Sequence, residues 1–202
     1  MGGPCRLKAE AEKLATKAPD CTDNFQVRPF NFDGQEWQSV EQCYQAQKFL
    51  DATFKEKLRL MEKGSGESDS QHGMRVWSEG QRGRDLRPDW EAVKVEMMYR
   101  ANLAKYLQHG DLQADLLATG DAQLDGAAST KWVMKSGKTV GWSLWNGLIQ
   151  TRIREELKPV SAQDSDLLES LRKQFEDYLV RQGGNQLPIP GAGSEEMPLQ
   201  EE

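Results

Sequence analysis

The stretch Trp37–Asp51, WQSVEQCYQAQKFLD, decides how this chain is read. On a helix of 3.6 residues per turn, Glu41, Gln45 and Lys48 fall at i, i+4 and i+7, so a carboxylate, an amide and an ammonium share one row. Val40, Cys43, Tyr44, Gln47 and Leu50 form the neighbouring stripe. Two readings are open. Either the row faces a cleft and carries chemistry, or it is a solvated Glu/Lys edge, as charged rows on helices usually are.

Working outward, Phe25, Val27, Phe30 and Phe32, interrupted by Pro29 and an Asp33-Gly34 turn, predict one or two short strands before this helix. Residues 5–18 are rich in Ala, Glu and Lys and predict a short polar helix ended by Pro19 and Asp20. Downstream, a helix pair runs from Val40 to Met61. Residues 62–73, EKGSGESDSQHG, read as a mobile surface loop, with a helix from Met74 into Glu79. Pro88 and Asp89 suit a helix start, and the periodicity continues from Ala92 to Gln108, where His109-Gly110 stops it. Asp111 is the expected cap of a short helix that buries Leu112, Leu116 and Leu117. From Ala127 to Gly147, three Trp separated by polar residues and Gly read as a loop, and helix resumes from Leu148 to Leu157. A final amphipathic helix, Ala162 to Val180, aligns Leu167, Leu168, Leu171, Phe175, Tyr178 and Leu179, before a Gly-, Pro- and acid-rich tail expected to be disordered.

Composition narrows the function classes. The 202 residues, 37% hydrophobic with six Trp, suffice for one cored domain. A net charge of −6 argues against a general grip on nucleic acid, which needs cations to replace phosphate counterions. Cys5, Cys21 and Cys43 are odd in number and lack metal-ligand spacing, so neither a disulfide framework nor a zinc site is expected, and no metal or other cofactor is called for. With no run of 18 apolar residues and no signal-peptide core, the expectation is a cytoplasmic protein without a membrane partner. Only His72 and His109 are available for a Ser/His or Cys/His nucleophilic pair, and SGKT at 136–139 lacks the first Gly of a P-loop because Trp132 stands there.

The segment around Glu41 resembles the NADAR family of YbiA-like N-glycosidases, whose hallmark is an S-x-E-H-x-x-Q-A-x-K-F helix after a D-G-x-x-W turn. Asp33, Gly34 and Trp37 match the turn; Glu41, Tyr44, Gln45, Ala46, Lys48 and Phe49 lie in the helix. Four more blocks follow the family order: DNFQVRPF at 23–30, with Asn24 in the N-F position, LRPDW at 86–90, EMMYRANLAKY at 96–106 and LLATGD at 116–121, with IREEL at 153–157 closing the resemblance. Gln42 replaces the family His. The loop after Trp132 departs from the usual W-G-x-G wording and carries no acid between Asp125 and Glu155.

The resemblance implies a single, predominantly helical α+β domain over 23–158, with a small N-terminal β element. An extension at 1–22, a C-terminal helix at 159–182 and a tail at 183–202 flank it. It also implies cleavage of the C–N glycosidic bond of a ribosylated, phosphorylated small molecule of the riboflavin-intermediate type, or of an ADP-ribosyl adduct. A carboxylate is needed to stabilise an oxocarbenium-like transition state or to activate water, and Glu41 matches the family position. Lys48 would keep Glu41 ionised or touch phosphate, or is only a surface neighbour. Arg82 and Arg87 would bind phosphate and Trp90 and Trp132 would sandwich the base or sugar; the rival view makes Trp90 a core anchor and Arg87 one half of a salt bridge. Tyr44, Gln45, Asn24 and, after a register shift, Asn146 complete the expected substrate contacts. The alternatives are a non-catalytic module for an ADP-ribose-like or nucleotide ligand, and an interaction scaffold that docks through the 162–180 helix.

Overall fold

The computed structural model describes residues 3–8 and 16–184. Its architecture is α+β, with seven α-helices and three small antiparallel sheets among these residues. Strand β1 (Arg6–Lys8) lies between β2 (Thr16–Lys17) and β5 (Gln123–Asp125); β3 (Phe30–Phe32) pairs with β4 (Gln35–Trp37), and β6 (Lys131–Val133) with β7 (Thr139–Gly141). The helices are α1 (Val40–Gln47), α2 (Ala52–Arg59), α3 (Asp69–Gly80), α4 (Trp90–Gln108), α5 (Gly110–Leu117), α6 (Trp142–Leu157) and α7 (Ser165–Arg181).

Helix α1 is the hub. Ser39 caps it, its hydroxyl accepting from the Gln42 amide, and α2, α3 and α4 close round it. All eight of its residues are buried, so the solvated-edge reading of the Glu41 row fails: there is no outer face. Leu50, read above as part of the stripe with Val40, Cys43, Tyr44 and Gln47, is exposed while those four are buried, because α1 ends at Gln47 and the chain has turned before it reaches that position.

Gln42 shows what the replaced His position does here. Its side-chain amide donates to the carbonyls of Leu58, Arg59 and Met61, and its Oε1 accepts from the Gln38 backbone, which ties the C-terminal end of α2 to α1.

Three local expectations are corrected. Arg6–Lys8 is a strand rather than part of a polar helix: pairing with β5 satisfies its backbone, and residues 9–15 of that expected helix lie outside the described residues. Helix α3 begins at Asp69, not Met74. Ser68 and Gln71 form a reciprocal capping box that starts the helix inside a Gly- and Ser-rich stretch, and this buries His72 rather than leaving it in a loop. The expected 127–147 loop contains the β6–β7 hairpin and then the first turn of α6, which starts six residues before Leu148.

Two smaller corrections follow. The N-cap of α5 is His109, while Asp111 forms an ion pair with Arg28. Leu167 lies at the solvent side of α7, whereas Leu168, Leu171, Phe175, Tyr178 and Leu179 are buried, the helix lying against α4 and α6. Burial of side chains of this size contributes roughly 1.5–3 kcal/mol each.

Helix α6 lies directly on β5. A side chain at Gly147 would strike the Leu124 carbonyl, so only glycine permits this approach. Among the described residues, no helix is long and apolar enough to cross a membrane, and no group of His, Cys, Asp and Glu has the makings of a metal site. Of the tail expected to be disordered, residues 185–202 lie outside the described residues.

Candidate active site

Glu41 sits in the first turn of α1, where the helix dipole favours a carboxylate. It has no solvent exposure. Its backbone N–H donates to the Asn24 carbonyl at 2.9 Å, and its Oε1 accepts from Gln45 Nε2 at 2.6 Å. Its other oxygen, Oε2, finds no donor among the described residues, and neither does Gln45 Oε1. A buried carboxylate with an unanswered oxygen is costly, and such groups concentrate where function rather than stability fixes the residue. Gly80, the last residue of α3, makes the arrangement possible: a Cβ there would overlap Gln45 Oε1.

One and two helical turns further on, Tyr44 and Lys48 enter a cavity of about 160 Å³. Trp90 stands 4.9 Å from the Tyr44 ring and Trp142 meets it edge-on at 5.4 Å, while Trp132 is tilted against Trp142 at 5.1 Å. Lys94 lies 4.1 Å over the Trp132 ring and pairs with Glu91 at 2.6 Å. Trp77 and Gln81 of α3 and Thr130 complete the lining. The walls are therefore indole and phenol rings with two ammonium groups, and no carboxylate lines the cavity. Such a surface stacks a planar ring and attracts an anion.

Burial pushes the Lys48 ammonium down to about 8; the Glu41 charge opposes that shift and the Lys94 charge adds to it. Burial likewise lowers Lys94, against the pull of Glu91. Tyr44 is held well above the usual phenol range, chiefly by burial and then by the Glu41 charge.

Of the residues expected from sequence, Tyr44, Lys48, Trp90 and Trp132 are brought to this cavity, with Glu41 and Gln45 on the same short helix. Arg87 does not line it. Its guanidinium is engaged by both Asp89 oxygens, at 2.6 and 2.8 Å, although its backbone N–H donates to the Lys48 carbonyl. Arg82 is largely exposed and pairs with Glu79 at 3.0 Å. Asn24 and Asn146 belong to a buried ladder. Asn24 Nδ2 donates to Asn146, Asn102 donates to Asn24, Gln150 donates to Asn102, and the Tyr106 hydroxyl donates to Gln150.

Lys94, Trp77, Gln81, Thr130 and Trp142 were not anticipated. Lys94 is four residues after Trp90 and so shares a helix face with a residue already singled out, the one signal that pointed towards it; no comparable spacing marks Trp77, Gln81, Thr130 or Trp142.

The NADAR domain model matches residues 10–140. The N-glycosidase YbiA of Escherichia coli (strain K12) is 39% identical over 101 residues, covering 50% of this chain and 58% of that protein. An N-glycosidase of Nostoc punctiforme is 29% identical over 138 residues, covering 68% of this chain and 85% of that one. A riboflavin biosynthesis protein of Vibrio vulnificus is 38% identical over 101 residues, which is 25% of its length. The solution structure of E. coli YbiA superposes with a TM-score of 0.51 at 31% identity, over 68% of this chain and 77% of that one. The sequence match thus spans a little over half the length of YbiA.

Proposed function

This chain belongs to the NADAR family, and on that footing we propose that it is an N-glycosidase. It hydrolyses the C–N glycosidic bond of a ribosylated, phosphorylated small molecule, of the kind found among riboflavin-pathway intermediates or ADP-ribosyl adducts. The observation that carries this reading is Glu41: a wholly buried carboxylate, oriented by Gln45, with one oxygen free, one turn from an indole-walled cavity with two ammonium groups.

In this scheme the base or sugar stacks between Trp90 and Trp132, and Lys48 and Lys94 hold the phosphate. Glu41 stabilises positive charge developing at C1′ and accepts a proton from the attacking water through Oε2 as the C1′–N bond breaks. The departing nitrogen takes up a proton from water as it leaves, so that the step balances. The step needs no metal.

One observation favours a second reading, a non-catalytic module for an ADP-ribose-like ligand: no carboxylate lines the cavity, and Glu41 has no exposed surface. Incubating wild type and Glu41→Gln with ribosylated pyrimidine phosphates, NAD, ADP-ribose and ADP-ribosylated nucleosides, and following free base by mass spectrometry, separates the two. Release by wild type alone supports the glycosidase. Saturable calorimetric binding with no release from any compound supports the module.

A further inference from the structure

The β6–β7 hairpin, α6 and α7 border a second cavity, open on one side and of about 170 Å³, which none of the candidate site residues lines. That volume is close to the roughly 150 Å³ of an engineered cavity that admits a benzene ring. Met134, Val140, Leu144 and Leu148 give it an apolar wall. Trp145 also lines it; this ring is 95% buried, and its indole N–H has no acceptor among the described residues. The charges at the rim are unequal. Arg181 and Asp177 offset each other at 3.6 Å, while Lys138 makes no ion pair among the described residues, which leaves one positive charge without a partner.

We propose that this cavity binds a small carboxylic acid with a ring-sized apolar body, taken up as its monoanion. The ring covers the Val140, Leu144 and Leu148 side chains, and the carboxylate meets Lys138. One uncompensated positive charge matches one carboxylate. Inorganic phosphate, more highly charged and without an apolar body, would leave the wall uncovered.

Met134, Ser136, Lys138 and Val140 lie within the span matched by the family model, whereas Leu144, Trp145, Leu148 and all of the α7 lining lie beyond residue 140, where that match ends. The cavity adjoins the candidate active site. Tyr178, which lines it, meets Trp132 edge-on at 6.4 Å.

The test uses the full chain labelled with ¹⁵N and follows the indole N–H signals, that of Trp145 being identified with Trp145→Phe. Titration with benzoate is expected to shift the Trp145 signal saturably. Lys138→Ala should weaken binding about tenfold, Leu144→Glu should abolish it, and benzyl alcohol and inorganic phosphate should bind far more weakly. Lys138 and Leu144 both have exposed surface, so these variants keep the fold; if Trp145→Phe does not, calorimetry of the other two gives the same comparison. Absence of a saturable benzoate response, equal affinity in Lys138→Ala, or phosphate binding as tightly as benzoate would each overturn the proposal.

Discussion

Two sets of buried polar side chains lie within one backbone hydrogen bond of each other, and they are built to opposite rules. In the ladder Asn146–Asn24–Asn102–Gln150–Tyr106, each side chain bonds to the next, and the Tyr106 hydroxyl also lies within hydrogen-bond distance of the Cys21 carbonyl. In the pair Glu41–Gln45 a single 2.6 Å bond is made, and one oxygen on each side chain has no donor among the described residues. The Glu41 N–H to Asn24 carbonyl bond joins the two. A satisfied network of this kind rigidifies a core, whereas a half-satisfied one destabilises it unless something else requires it. The ladder has the character of scaffold, and under the proposed function the Glu41 pair is the place where stability is given up for a task.

The sharpest way to break this contrast is Glu41→Gln. Removing a general base or charge stabiliser should lower kcat by about 10²- to 10⁴-fold, while thermal unfolding should show little loss of stability, or a gain, since a buried charge is removed without a change of shape. Unfolding of this variant would place Glu41 in the scaffold instead. Asn102→Ala should do the reverse. It strands Asn24 and Gln150 and leaves a small cavity, so denaturant unfolding should show a loss of roughly 3 kcal/mol. Activity at low temperature, where the variant is still folded, should stay within a few-fold of wild type.

How much of this was legible without coordinates follows the same division. Helix α1 and its turn could be read because Glu41, Gln45 and Lys48 keep helical spacing and the wording from Asp33 to Phe49 is continuous. The start of α3 was hidden because its capping residues, Ser68 and Gln71, sit among Gly and Ser whose composition suggests a loop. Strands β6 and β7, three residues each, are too short to show alternation, and α6 follows without a side-chain cap. At the site, helical spacing could place Tyr44, Gln45 and Lys48 beside Glu41. It could not show that Trp77, Lys94 and Trp142, from three other helices, meet them. Nor could it show that the Asn24 side-chain amide donates to Asn146, since that pairing spans 122 positions.

Gly80 offers a smaller perturbation from outside the pair. In Gly80→Ala the new methyl must displace the Gln45 carboxamide, which removes the side-chain hydrogen bond that Glu41 receives from Gln45. Alanine gains up to about 1 kcal/mol of helix propensity over glycine, so the net stability change should be slight. A fall of about tenfold in kcat, with KM little altered, would mark Gly80 as a positioning residue. Equal loss of kcat and stability would mean that the methyl only disturbs the packing of α1 on α3.

The least disruptive probe is pH, acting through Lys48. Burial lowers its ammonium from the ordinary 10.5 to about 8, so the folded protein gives up this proton more readily than the unfolded chain does. Between about pH 8 and 10.5 the unfolded state therefore binds more protons, and the Lys48 contribution to stability must rise with pH across that window. Below pH 8 the group is charged in both states, and the full cost of burying the ammonium is present, of the order of 3 kcal/mol. Lys48→Met removes that cost and should flatten the rise, so the variant's advantage in unfolding free energy is largest near pH 7 and fades towards pH 10. Function should change in the opposite direction. If Lys48 holds a substrate phosphate, wild-type KM increases as pH passes 8, and Lys48→Met has a high KM throughout. A flat KM in wild type, alongside the predicted stability curve, would leave Lys48 buried for structure and assign the anion to Lys94.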